Sequence, residues 1–107
     1  MAISRVRIYE VGPRDGLQNE ARIVSARDKI EFIRLLSLSG LTNIEATAFV
    51  RSVSQMADAQ EVYSSVRDFG PRMSALVPNR KGMENALASG LREAAIFTAA
   101  SETFTRK

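Results

Sequence analysis

The sequence predicts an α/β fold, the N-terminal half of a (β/α)8 TIM barrel, with four parallel strands and intervening helices. Three observations lead there. Strand-like alternation and helix-like stripes follow one another as β-α-β-α-β-α-β. That order implies right-handed crossovers and a parallel sheet. The polar candidate residues fall at the expected C-terminal ends of strands, the face on which barrels build their sites. A small open doubly wound sheet fits the element order too, and the placement of the polar residues favours the barrel.

Val6-Arg7-Ile8-Tyr9-Glu10-Val11 alternates apolar and polar side chains as a strand does, and Gly12-Pro13 stops it. Ser25 is placed as a helix N-cap, with Asp28 in the capping-box position. Ile30, Phe32, Ile33, Leu35 and Leu36 then form a broad apolar face opposite Arg27, Glu31 and Arg34. Gly40 stands where a helix C-terminal glycine belongs. Thr42 to Thr47 is the second expected strand, with Glu45 at its end. Met56, Ala59, Val62, Tyr63, Val66 and Phe69 make the stripe of a second helix, closed by Gly70-Pro71. Arg72 to Val77 is the third strand. A third helix runs from about Lys81 to Ser89, with Met83, Ala86 and Leu87 on one face and Gly90 after it. Glu93 to Phe97 is the fourth strand.

The 107 residues suit one small domain, read here as a single partial barrel domain over 1–107. Hydrophobic residues make up 45% and charged residues 25%, the balance of an ordinary globular protein. No apolar run reaches the roughly 18 residues that span a bilayer. No membrane partner is expected, and the expected address is cytoplasmic. The absence of cysteine excludes disulfides and thiolate metal sites, and the absence of histidine excludes a Ser-His-Asp triad within the chain. The net charge is +3, with the basic residues scattered rather than gathered in a stripe, so no nucleic-acid partner is expected.

Arg14 and Asp15 are the strongest chemical pair. A carboxylate at a strand end suits a hard divalent cation. A neighbouring guanidinium suits an oxyanion or enolate as it forms. The plainer alternative is a loop cap and an ion pair. Glu45 interrupts an apolar strand, and a carboxylate within a sheet needs a partner. It is expected either to bond Arg14 or to position a water. Asn79, within Pro78-Asn79-Arg80-Lys81-Gly82, begins a helix where a cofactor phosphate has room to bind, or it merely makes a turn.

Together these residues resemble the hydroxymethylglutaryl-CoA lyases, metal-dependent enzymes built on TIM barrels. The resemblance rests on the eleven-residue run Glu10-Val11-Gly12-Pro13-Arg14-Asp15-Gly16-Leu17-Gln18-Asn19-Glu20. Ile44 to Val50, Gln55-Met56-Ala57-Asp58-Ala59, Pro78 to Gly82, Ala94 to Phe97 and Ala99 to Phe104 extend it over nearly the whole chain. It implies retro-aldol cleavage of 3-hydroxy-3-methylglutaryl-CoA into acetyl-CoA and acetoacetate, a step of leucine degradation, with Mg2+ or Mn2+ on the substrate oxygens. It makes Asp15 the metal ligand and Arg14 the cation that stabilises the enolate. Glu45 would orient Arg14 or a metal-bound water, and Gln18 would support the same pocket.

Two departures from the family pattern are visible. The His-x-His ligands, the asparagine ligand and the late cysteine loop of the family are missing from these residues. The segment Arg51-Ser52-Val53-Ser54 is shorter than its family counterpart and lacks a lysine. The expectation is therefore a chain inactive alone, without a tightly held ion, that self-associates or pairs with a complementary half. A non-catalytic half-barrel serving as a binding or assembly module is the rival reading.

Overall fold

The computed structural model describes residues 5–97. Strands β1 (Asn43–Ala48), β2 (Arg72–Leu76) and β3 (Ala94–Ala95) form one parallel sheet in the order β1-β2-β3. Helices α1 (Ala26–Ser37), α2 (Ala59–Val66) and α3 (Arg80–Ala88) occupy the intervening segments.

Each helix begins and ends for a local reason. Ser25 Oγ accepts the Asp28 amide at 3.1 Å, as the N-cap reading requires. Asn79 Oδ1 does the same for Gly82 at 2.8 Å. Gly40, Gly70 and Gly90 follow the three helices with φ of +94°, +117° and +83°. Only glycine takes that backbone without strain.

The core lies between the helices and the sheet. Ile33 of α1 and Val62, Tyr63 and Val66 of α2 pack on Ile44, Ala46, Met73 and Ala75. All six residues of β1 are buried, as befits a parallel strand covered on both faces. Each fully buried aliphatic side chain of this set contributes about 1.5–3 kcal/mol. Leu35 and Leu87, expected on apolar faces, are 54% and 63% exposed. Their helices turn narrower stripes inward than the sequence pattern implies.

The ladder is shorter than the four expected strands. The segment 6–11 pairs only through Glu10, which forms a parallel bridge with Ile44. The Glu10 amide donates to Asn43 O at 3.0 Å, and the Glu45 amide donates to Glu10 O at 2.8 Å. Val6 and Ile8 are 79% and 65% exposed, so their alternation finds nothing to pack against. The expected strand Glu93 to Phe97 reduces to Ala94–Ala95, and Ile96 is exposed. Order along the sheet is nevertheless as expected, with Glu10 beside β1 and β3 beside β2. Ser101 and Glu102, which the sequence places beyond the last strand, lie outside the described residues.

Candidate functional site

Gly12–Gly16 forms a π-helical turn. The amides of Arg14, Asp15 and Gly16 converge on the Val11 carbonyl at 3.2, 2.7 and 3.3 Å. Pro13 is buried and has no amide to satisfy, which suits the first turn. Such single wide turns are rare and occur often at functional positions. The turn places Arg14 against β1, where its Nε donates to Glu45 Oε1 at 2.8 Å. Asp15 Oδ1 lies 3.5 Å from Arg14 Nη1.

The three charges differ in their access to water. The side chains of Glu45, Arg14 and Asp15 are 10%, 21% and 57% exposed. A nearly buried carboxylate thus fixes one edge of the guanidinium, and the exposed carboxylate stands beside it. Arg14 keeps donors beyond the one used on Glu45, so it can meet an anion while held in place.

Glu45 is the third residue of β1 rather than its end. The register between β1 and β2 shifts between Glu45 and Thr47. Such irregularities in a ladder are common next to active sites. Gln18 is exposed on the segment just after the π-turn. Asn79 follows β2 but is not joined to this group. Its side-chain oxygen accepts the Gly82 amide, so Asn79 caps α3. Gly82 is needed there because a β-carbon would sit 2.7 Å from the Phe49 carbonyl oxygen.

Sequence reasoning missed a second polar cluster. Lys29 is 3% exposed and donates to the Gln55 carbonyl and to Asp58 Oδ1, the latter at 2.7 Å. A signal was present: Lys29 shares the core-facing spacing of Ile33 and Leu36, where a lysine demands a partner.

Among the described residues, no group of three or more His, Cys, Asp or Glu is placed to hold a metal ion. Asp15 fits as one hard oxygen ligand. A hard divalent cation takes about six oxygens, of which Asp15 can offer at most two. A cleft of about 550 Å³ opens at the other end of the sheet, lined by Arg7, Thr42, Asn43, Gly70 and Arg72. It contains neither Arg14 nor Glu45. Among the described residues no helix is long and apolar enough to cross a membrane.

Comparison with known proteins places this geometry in context. The profile of the HMGL-like family matches residues 5–107. The mitochondrial hydroxymethylglutaryl-CoA lyase of Macaca fascicularis is 54% identical over 106 residues, covering 96% of this chain and 33% of that protein. The cytoplasmic 3-hydroxy-3-methylglutaryl-CoA lyase of Rattus norvegicus is 53% identical over 105 residues, covering 95% of this chain and 31% of that protein. A solved HMG-CoA lyase from Acinetobacter baumannii, in complex with coenzyme A and 3-methylmalate, superposes with a TM-score of 0.87. It is 33% identical, and the match covers 98% of this chain and 36% of that one. The chain thus spans about a third of the length of the relatives it matches. It belongs to the HMGL-like family.

Proposed function

We propose that this chain carries the first βα units of a (β/α)8 barrel that cleaves 3-hydroxy-3-methylglutaryl-CoA to acetyl-CoA and acetoacetate. The observation that carries the reading is the Arg14–Glu45 ion pair at 2.8 Å, with Asp15 beside it. Retro-aldol cleavage turns the departing acetyl group into an enolate, whose negative charge needs a fixed cation. Arg14 supplies one, and Glu45 holds it so that little reorganisation is needed as charge develops. Gln18, an exposed amide on the same segment, lends a donor to the acyl-CoA. Asp15 is one of the ligands for Mg2+ or Mn2+, and the others come from outside the described residues. When bound, such an ion polarises substrate oxygens. In this reading Asn79 lies along the path of the coenzyme A tail, its own side chain capping α3. A cytoplasmic setting is in keeping with the rat relative, a cytoplasmic lyase, although the macaque relative is mitochondrial.

The test is direct. The polypeptide carrying this chain, given the acyl-CoA and Mg2+ or Mn2+, is expected to release acetyl-CoA and acetoacetate in equal amounts. Asp15→Ala should raise the metal concentration needed for half-maximal rate at least tenfold. No product from the unaltered polypeptide at any metal concentration would sink the reading.

The domain 1–107 is, on this reading, a partial barrel. Val6, Ile8 and Ile96 are 79%, 65% and 78% exposed along the two outer margins of the sheet. Unpaired strand edges and exposed apolar side chains favour association. The 107-residue chain is therefore expected to pair with a second copy or with further barrel strands. Light scattering at low micromolar concentration checks this, and a sharp monomer peak would refute it.

A further inference from the structure

Gln55 is 4% exposed and lies in the short 3-10 turn Ser54–Met56 that follows β1. Its side chain is wholly spent on another segment. Oε1 accepts the Val24 amide at 2.8 Å. Nε2 donates to Arg22 O at 2.8 Å and to Glu20 O at 3.5 Å. Among the described residues, the stretch 21–24 has no backbone–backbone hydrogen bond of its own. One amide side chain therefore does for these residues what a neighbouring strand does elsewhere. Gln55 is itself fixed, because its carbonyl accepts from the buried Lys29, whose ammonium is also paired with Asp58.

This arrangement bears on Arg14. The segment that carries it is anchored on β1 at Glu10 and, on the far side, at residues 20–24 by Gln55. Between the two anchors lies the π-turn whose Arg14 reaches Glu45. The span has no other long-range backbone attachment among the described residues. With one anchor released, the turn can drift while α1 stays folded on its own cap at Ser25. A displacement of about 1 Å at a catalytic group is enough to cost about 10²-fold in rate.

We propose that Gln55 is a positioning residue that keeps Arg14 seated on Glu45 by clamping the backbone at 20–24. Its catalytic meaning rests on the lyase reading above; its structural content does not. Gln55→Met keeps the length of the side chain and removes all three hydrogen bonds. In the 107-residue chain, the Arg14 Nε–H resonance, slowed in exchange by its carboxylate partner, is expected to broaden or vanish in this variant. The Val24 amide should lose its protection from hydrogen exchange. Ser25→Ala weakens the cap of α1 without touching the clamp, and should leave the Arg14 resonance in place. Gln55→Asn keeps the amide but draws it back by one methylene, weakening the same hydrogen bonds without burying a charge, so it provides a milder second variant should Gln55→Met fail to fold.

In the polypeptide that turns over acyl-CoA, Gln55→Met should lower kcat about 10–100-fold with KM nearly unchanged. In a Glu45→Ala background it should cost little more, because both changes release the same guanidinium. An Arg14 resonance unchanged in a folded Gln55 variant would overturn the proposal. So would a rate loss fully additive with Glu45→Ala. If the parent cleaves no acyl-CoA, the lyase reading fails, and the resonance alone still decides whether Gln55 holds Arg14.

Discussion

Replacing Arg14 with glutamine should lower the rate of acyl-CoA cleavage by about 10²–10³-fold, a loss of about 3–4 kcal/mol of transition-state stabilisation. Glutamine keeps a hydrogen-bond donor at about the reach of the arginine Nε and removes the positive charge together with the two outer nitrogens. The ground-state substrate carries no charge at the carbon that becomes the enolate. KM should therefore change far less than kcat. Metal affinity should also hold, since Asp15 remains and the guanidinium beside it is lost, which removes a repulsion. Steady-state kinetics with a metal titration of both proteins measures this. Near-parental turnover by Arg14→Gln would mean that another group stabilises the enolate and that the Arg14–Glu45 pair is structural. Arg14→Lys separates charge from geometry. A lysine offers charge without the planar fork that meets both Glu45 and a ligand, so only partial recovery is expected.

Much of this pair was legible in the sequence for one physical reason. A carboxylate in the middle of an apolar strand has to be paired, and Arg14, at the expected end of the neighbouring strand, was a cation placed to meet it. What the pattern did not contain was the geometry of the pairing. The π-turn at Gly12–Gly16 and the register shift between Glu45 and Thr47 have no spacing signature in the sequence. The helices were legible nearly to their ends because their stripes, caps and terminal glycines are local signals. The outer strands were not, because alternation marks a segment able to pair, and how far the pairing extends depends on what packs against its apolar side chains. Val6, Ile8 and Ile96 have the right character and lack that packing among the described residues. Lys29 and Gln55 were hidden for the opposite reason. Each is polar yet buried, and a buried polar side chain is recognised only when its partners from distant segments are known.

Tyr63 carries the largest expected effect on stability. Its side chain is fully buried on α2, with its ring 6.3 Å from that of Phe49 at a tilt of 60°. Its hydroxyl donates to Met73 O of β2 at 3.0 Å and accepts the Arg92 amide at 3.2 Å. One oxygen therefore ties α2 to β2 and to the approach to β3. Tyr63→Phe keeps the packing and leaves both a carbonyl and an amide without this partner. Each buried group so orphaned costs about 1–3 kcal/mol, less where water reaches it, as at the part-buried Arg92 amide. A total near 2 kcal/mol is expected, a fall in Tm of roughly 8–16 °C for a domain of this size. Tyr63→Ala adds the loss of the ring and a cavity, about 3–5 kcal/mol, a large part of the stability of a small domain. That variant should be substantially unfolded at 37 °C. Thermal unfolding followed by circular dichroism, with hydrogen exchange at Arg92, tests both. If Tyr63→Phe melts within a degree of the parent and Arg92 stays protected, the hydroxyl bridge contributes nothing and the ring alone holds β2 against α2. If Arg92 loses protection while the β2 amides keep theirs, the hydroxyl matters chiefly to the short β3. The junction would then be the weak point of the sheet, in keeping with β3 extending over only two residues.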